Sequence, residues 1–252
     1  MERKIALITG ATSGIGKACA LILAKNGYHI IATGRRAERL DELKKEVPSG
    51  IEVLPLVFDV RDKEAVFGLI ENLPENWKNI EILVNNAGNA HGLDPIQSGS
   101  LDDWDAMMDI NVKGLLYVSK AVIPGMCERK SGTIINIGSI AGKEVYPNGN
   151  VYCGSKHAVD AITKGMRMDL NPFGIKVIGI HPGLVETEFS VVRFKGDENR
   201  AEKVYQGFEP LVAQDIAEIV EFCVNRPSHV VLADIVVLPT AQASSTLVNK
   251  KL

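Results

Sequence analysis

Cysteine is scarce in this 252-residue chain: Cys19, Cys127, Cys153 and Cys223 stand far apart and form no Cys-x-x-Cys pair. That spacing argues against a disulfide framework or a zinc site, so no metal is expected and a reducing compartment fits. No apolar run approaches the ~18 residues of a membrane span, and the run within MERKIALITG is too short for a signal peptide. Neither sign of charge dominates. The formal net charge is −3 and no polybasic arm is present, which gives no electrostatic reason to expect nucleic acid. Internal repeats, low-complexity tracts and Pro/Gly-rich linkers are missing too. With 46% hydrophobic and 23% charged residues, the expectation is a soluble, cytoplasmic protein with a real core. It should be one large α/β domain over 1–252.

Short apolar, β-branched runs then alternate with segments of helical period. The runs are 5–9, 29–33, 51–58, 81–85, 133–139, 176–181 and 234–238. Most are apolar at nearly every position, as in strands buried on both faces of a parallel sheet. Helices are expected near 15–26, 36–46, 62–72, 102–130, 152–171 and 213–226. The mixed charges of RLDELKKEV (39–47) read as a solvated helix face. Strict β-α alternation with right-handed crossovers predicts a single-domain, doubly wound Rossmann fold. Its seven-stranded, mostly parallel sheet would carry helices on both faces. Ligands then bind at the carboxyl ends of the strands.

After the first strand comes TGATSGIG (9–16), holding Gly10, Gly14 and Gly16. Glycines at a strand-to-helix turn permit positive φ and remove the β-carbons that would block a pyrophosphate. The helix that follows offers free N–H groups to phosphate. The spacing G-x-x-x-G-x-G departs from the G-x-G-x-x-G fingerprint. A tight turn without ligand is the plainer alternative, but the turn opens an ordered β-α-β unit, which favours the ligand. The second strand ends in IATGRR (31–36), where NAD-binding versions of this fold place a carboxylate. Here Gly34 is followed by Arg35 and Arg36, so a 2′-phosphate is welcome and NADP is the expected cofactor. The alternative is that these arginines merely begin a surface helix.

At the other end, NVYCGSKHA (150–158) sets Tyr152 four residues before Lys156. On a helix these share a face, so phenol and ammonium can enter one cleft. A nearby cation favours the phenolate, which would lower the tyrosine pKa toward the range of useful proton transfer. Alone the pair is a weak motif. Ser139, at the end of TIINIGS and thirteen residues upstream, supplies a hydroxyl that can orient a substrate oxygen in the same cleft.

Taken together, these residues resemble the classical short-chain dehydrogenase/reductase family almost from end to end. TGATSGIG, Asp59-Val60, NNAG (85–88), Asn111, Ser139, YCGSK (152–156) and PGLVET (182–187) fall in the family's order. The resemblance implies hydride transfer between NADP(H) and an alcohol or carbonyl, with Asn111, Ser139, Tyr152 and Lys156 as the catalytic set. Tyr152 would exchange the proton and Ser139 would align the reacting oxygen. Lys156 would hold the ribose, and Asn111 would hold a water linking Lys156 to solvent. Cofactor contacts would come from Gly10, Thr12, Ser13, Gly14, Ile15 and Gly16 of the first turn, and from Arg35 and Arg36. Asp59 and Val60 would meet the adenine, and Asn86, Ala87 and Gly88 the ribose. Tyr152, Lys156, Pro182, Gly183, Val185 and Thr187 would complete the site. The resemblance also implies a homotetramer. Its long helices 102–130 and 152–171 carry more apolar surface than one sheet face needs.

Within the family, TIINIGS, GNVY (149–152) and PGLVETEFSVVRFKGD (182–197) are similar to the NADP-dependent serine, allo-threonine and 3-hydroxy acid dehydrogenases. The implied substrate is a small 3-hydroxy acid or its 3-oxo acid. A 3-oxoacyl-carrier-protein reductase, a generic carbonyl reductase and a non-catalytic NADP-sensing regulator are the alternatives. The stretch SVVRFKGDENR (190–200) reads as part of a substrate loop over about 183–212, without helical or strand period. Arg193 offers a planar fork for a carboxylate, joining Ser139 and Tyr152 as substrate-binding residues. The plainer alternative leaves its cations in solvent. The tail over about 239–252 is expected to reach a neighbouring subunit. His91, His181, Cys153, Trp77 and Trp104 read as structural residues, with His181 satisfied in the interior, and Glu144 as a solvated loop carboxylate.

Overall fold

The computed structural model describes residues 4–251. In chain order its first half runs β1 (Ile5–Ile8), α1 (Gly14–Lys25), β2 (His29–Gly34), α2 (Ala37–Glu46), β3 (Val53–Val57), α3 (Lys63–Glu71), β4 (Ile80–Asn85) and α4 (Leu101–Met108). There follow α5 (Leu115–Arg129), β5 (Thr133–Ile137), α6 (Asn150–Leu170), β6 (Lys176–Pro182), β7 (Val185–Glu186), α7 (Phe189–Arg193), α8 (Glu198–Tyr205), β8 (Leu211–Val212), α9 (Ala213–Val224) and β9 (Asp234–Val237). Seven strands form one all-parallel sheet in the order β3-β2-β1-β4-β5-β6-β9. The chain order reverses between β1 and β4, the point at which such sheets open a crevice.

Adjacent residues of one strand serve two cores. Leu7 faces one cluster and Ile8 the other, and so do Leu83 and Val84, Ile134 and Ile135, and Val177 and Ile178. Successive strand residues point to opposite faces. A run that is apolar at both parities therefore needs helices on both sides. Helices α1 and α9 cover one face, through Leu23 and Val220, and α3 and α5 cover the other, through Val66 and Val118. Pro55 lies in β3, where the missing N–H is tolerable because β3 is an edge strand. A buried polar chain ties the central strands to the helices. Asn85 Nδ2 donates to Ser119 Oγ and Asn136 Oδ1, both at 2.9 Å, and Asn136 Nδ2 donates to Thr163 Oγ1 at 2.9 Å.

The sequence expectations need correction in three places, the helix over 102–130, the stretch 190–200 and Glu144. The helix expected over 102–130 is broken by a π-helical turn, Asp109–Gly114, between α4 and α5. The stretch 190–200 is not irregular, since α7 and the start of α8 fall in it. The tail packs across its own subunit: Leu184 N donates to Gln242 Oε1 at 2.9 Å, Ser245 N to Glu144 Oε2 at 2.7 Å and Lys251 N to Gly207 O at 2.7 Å. Glu144 is thus a tail anchor rather than a solvated carboxylate. Among the described residues, no helix is long and apolar enough to cross a membrane.

Candidate active site

At the switch point, the turn after β1 and the segment after β4 lie against each other. Thr9 Oγ1 accepts from Asn86 N and Ala87 N at 3.0 and 2.9 Å, and Asn86 Nδ2 donates to Thr9 O at 2.9 Å. Gly10 and Gly14 take φ of 68° and 50°, left-handed values that explain these glycines. A β-carbon on Gly16 would lie 2.3 Å from Gly10 O. Gly16 therefore serves the close packing of α1 on the turn and does not itself line the cleft. Ser13, the N-cap of α1, makes no side-chain cap bond, so the first amides of that helix keep their capacity for an anion. These features fit a dinucleotide's pyrophosphate.

Arg36 holds the far rim of the turn. Its Nη2 donates to Thr12 Oγ1 and Ser13 Oγ, both at 2.9 Å, and its Nη1 to Glu188 Oε2 at 2.9 Å. Arg39 donates to the other oxygen, Glu188 Oε1. Arg39 thus reaches the rim of the cleft through Glu188 from a side chain that is still 37% accessible. Arg35 is exposed and lies 3.8 Å from Asp59 Oδ2. Burial pushes the Asp59 carboxyl up, but bonds from Arg61 and the charge of Arg35 outweigh it and leave it below its ordinary value. With two arginines, two hydroxyls and Gly34 where the end of β2 would carry the carboxylate of an NAD site, this rim fits a 2′-phosphate, although Glu188 pairs with Arg36 there.

At the chemical end, α6 presents Tyr152 and Lys156 one turn apart, and both are buried. Lys156 Nζ donates to Ile137 O at 3.1 Å. Burial pulls the Lys156 ammonium down to about 8 and pushes the Tyr152 phenol well up, with the hydrogen bond to Ser139 and the charge of Arg193 opposing only in part. The expected lowering of Tyr152 by Lys156 does not hold here, because burial outweighs it. The cation that acts on the phenol is Arg193, whose guanidinium carbon lies 5.5 Å from the Tyr152 ring centre. Ser139 caps a short turn, its Oγ accepting from Ala141 N at 3.1 Å.

Asn111 sits in the π-turn, a geometry common at functional sites. Its Oδ1 accepts from Asn89 N at 2.9 Å, while Nδ2 donates to Asn89 O at 2.9 Å and Ser155 Oγ at 3.0 Å. The side chain thus clamps Asn89 to α6 and does not line the cleft. Both Nδ2 hydrogens are used, while Oδ1 keeps a second lone pair that could accept from a water.

The cleft encloses about 540 Å³. It is lined by the other residues named for cofactor and catalysis, from Gly10 through Tyr152 and Lys156 to Thr187, and by Arg193. Arg193 is half-buried at the end of α7. It donates through Nε to Gly92 O at 3.2 Å and through Nη2 to Tyr146 OH at 3.0 Å. Phe194 stacks against Arg200, and Lys195 pairs with Asp103 at 2.9 Å. Sequence reasoning missed Tyr146, Glu188, Arg39 and the tail residue Gln242. Each reaches the cleft or its rim through contacts far apart in the chain. Only Glu188, next to the PGLVET motif, carried a local signal.

Away from the cleft, Cys153 is buried as expected, and burial pushes its thiol up, which disfavours a nucleophile. His181 is buried but not fully satisfied, since its Nδ1 has no hydrogen-bond partner among the described residues. Its Nε2 lies 2.7 Å from Asp234 Oδ1. His181, Asp160 and Asp234 converge within 4.8 Å. The cation between the two carboxylates is Lys143, at 2.8 and 2.6 Å.

The short-chain dehydrogenase family model matches residues 4–198. The chain belongs to the short-chain dehydrogenase family. It is 45% identical over 244 residues to the NADP-dependent 3-hydroxy acid dehydrogenase YdfG of Salmonella typhi, spanning 96% of this chain and 98% of that one. A Schizosaccharomyces pombe NADP-dependent 3-hydroxy acid dehydrogenase is 42% identical over 254 residues, spanning 100% and 98%. Among solved structures, the closed form of a serine dehydrogenase complexed with NADP+ superposes with a TM-score of 0.92 at 44% identity, covering 98% of this chain and 100% of that one. The protein is accordingly an oxidoreductase of this family, with the family's sheet architecture.

Proposed function

We propose that the protein interconverts a small 3-hydroxy acid, of the serine, allo-threonine or 3-hydroxypropionate type, and its 3-oxo acid, using NADP(H). The observation that carries the substrate class is Arg193. Its guanidinium stands beside Tyr152 and, among the described residues, meets a carbonyl and a phenol but no carboxylate. A fork-shaped cation left unneutralised at the reacting end suits a substrate carboxylate. The similarity to 3-hydroxy acid and serine dehydrogenases supports the same class.

When bound, NADP supplies the carbon that accepts or returns the hydride. The protein's own residues do the rest. In reduction Tyr152 gives its phenolic proton to the reacting oxygen, and burial keeps it protonated for that step. In oxidation it first loses that proton to solvent, and the phenolate then takes the proton of the substrate hydroxyl. Ser139 shares the hydrogen bond that fixes the reacting oxygen against Tyr152. Lys156 holds the ribose hydroxyls while anchored to Ile137 O. Arg193 binds the carboxylate and, from the same end of α7, lends its charge to the phenolate that forms. These are positioning and electrostatic effects, with no covalent intermediate. A panel of serine, allo-threonine, 3-hydroxypropionate, 3-hydroxyisobutyrate and plain secondary alcohols, each with NADP and NAD, tests the proposal. Reduction of NADP by the acids and not by the alcohols is expected, and the reverse preference would overturn the reading.

The same reading includes a homotetramer in the cytoplasm. Leu101, Met108 and Leu116 on α4 and α5, and Met168 on α6, are exposed apolar side chains, and burial between subunits would cover them. Sedimentation at micromolar concentration should show a mass well above 27.3 kDa.

A further inference from the structure

We infer that Glu188 is an internal stand-in for the cofactor's 2′-phosphate, and that this phosphate releases one end of the substrate lid by taking Arg36 from it. The inference rests on the NADP reading above and adds a coupling that the reading does not contain.

Glu188 lies 152 residues from Arg36 in the chain, yet its two oxygens are divided between Arg36 and Arg39. Burial pushes its carboxyl up, and these two arginines more than reverse that. Arg36 Nε and Nη2 are committed to Thr12 and Ser13 of the glycine turn. What remains is Nη1, and Glu188 accepts from one of its two N–H groups, leaving a single donor free. A phosphate on the adenine ribose would arrive at this same rim, past the end of β2, with more charge and more acceptor oxygens than a carboxylate. Two anions side by side repel, so phosphate and Glu188 compete for the arginines.

What Glu188 holds in place is the lid. It immediately precedes α7, and the other end of α7 is Arg193, the proposed carboxylate reader. That far end has separate anchors: Gly92 N donates to Arg193 O at 3.0 Å, Arg193 Nε donates to Gly92 O at 3.2 Å, and Lys195 pairs with Asp103 at 2.9 Å. Between these ends, Ser190 Oγ lies 2.7 Å from Tyr205 OH and the Phe189 ring packs beside Tyr152. Of these holds, only that of Glu188 shares its partners with the cofactor. Losing it would leave α7 tethered at Gly92 and Tyr205 and loosened at the end next to the cofactor. Linkage makes the effect reciprocal: what the phosphate takes from the lid, the lid takes from phosphate affinity. Both Glu188 pairs are partly exposed, with side chains 37–44% accessible. The competition is accordingly modest, and removing it should tighten a 2′-phosphate ligand by roughly three- to ten-fold.

Adenosine 2′,5′-bisphosphate and AMP test this without any turnover, because neither carries a nicotinamide. Calorimetry on the full chain gives their affinities, and hydrogen–deuterium exchange over 189–194 reports the lid. The bisphosphate is expected to bind better than AMP and to speed lid exchange, while AMP leaves it unchanged. In Glu188→Gln the free protein should already show the faster exchange. That variant should bind the bisphosphate roughly three- to ten-fold more tightly and AMP as before. The latch is overturned if the bisphosphate binds without speeding lid exchange, or if Glu188→Gln tightens both ligands equally. A bisphosphate that binds no better than AMP would defeat the NADP reading, and the latch with it.

Discussion

At the pyrophosphate turn of the cleft the wall is mostly backbone. Gly10 and Gly14 turn the chain through left-handed φ, and Gly16 packs against Gly10 O. Ser13 leaves the first amides of α1 uncapped. At the substrate end the wall is side chains drawn from distant segments: Tyr146, Tyr152, Arg193 and, behind them, Lys195 on Asp103. A backbone wall has few ways to rearrange, because its shape is set by φ and ψ and by a close-packed sheet beneath it. A side-chain wall held by partly exposed ion pairs opens for a small cost. The pyrophosphate turn can thus be rigid while the substrate end admits and releases a ligand.

The largest effect should come from the reacting oxygen itself. Tyr152→Phe keeps the ring that packs near Phe189 but removes the proton carrier. Turnover should fall by about 10²–10⁴-fold while NADPH affinity, read by fluorescence titration, stays nearly constant. Near-normal kcat would move the acid/base role elsewhere.

Lys156 gives a prediction in pH. Its pKa drops from an ordinary 10.5 to about 8 on folding, so between those values the unfolded chain holds a proton that the folded chain releases. Folding stability attributable to this group therefore rises with pH across that window, is complete above 10.5, and is lost as pH falls through about 8. Denaturant unfolding of the wild type and Lys156→Met should show the wild type gaining about 3 kcal/mol on the variant from pH 8 to 10.5. A pH-independent difference would mean that Lys156 is not held in a charge-hostile interior.

At the phosphate rim, Arg36→Ser should cost NADP tens-fold in kcat/KM relative to NAD, as for one lost charge-assisted bond of about 1.5–3 kcal/mol. Arg35→Ser should cost less, because Arg35 is exposed and, among the described residues, pairs only with Asp59. Equal use of both cofactors by the unaltered protein would break this end of the comparison. The smallest change belongs to the lid's outer pin. Asp103→Asn, freeing Lys195, should alter KM by less than about five-fold, in keeping with ~0.2–1 kcal/mol for an exposed pair.

The same contrast explains what the sequence disclosed. The sheet was legible because Leu7-Ile8 and Ile134-Ile135 are apolar at both parities, a local pattern with one structural solution. The glycine turn and the Tyr152–Lys156 pair were legible because their spacing acts over one turn of chain. Glu188 with Arg36 and Arg39, or Arg193 with Gly92 and Tyr146, are pairings between distant residues that only the folded sheet brings together. The π-turn at Asn111 was hidden because its flanks read as one continuous helix. The reversed Tyr152 shift was hidden for another reason. Burial, not the motif, decides its sign.

The central claim is that Arg193 reads a substrate carboxylate, and one paired measurement tests it most directly. Steady-state kinetics of wild type and Arg193→Leu would be compared on 3-hydroxypropionate and on a neutral alcohol of similar size. The account predicts a loss in kcat/KM of about 1.5–3 kcal/mol, near ten- to more than a hundred-fold, on the acid alone. Affinity for NADPH and turnover of the alcohol should barely change. An equal loss on acid and alcohol would contradict the claim and leave Arg193 as a pin that closes the lid on Gly92 and Tyr146.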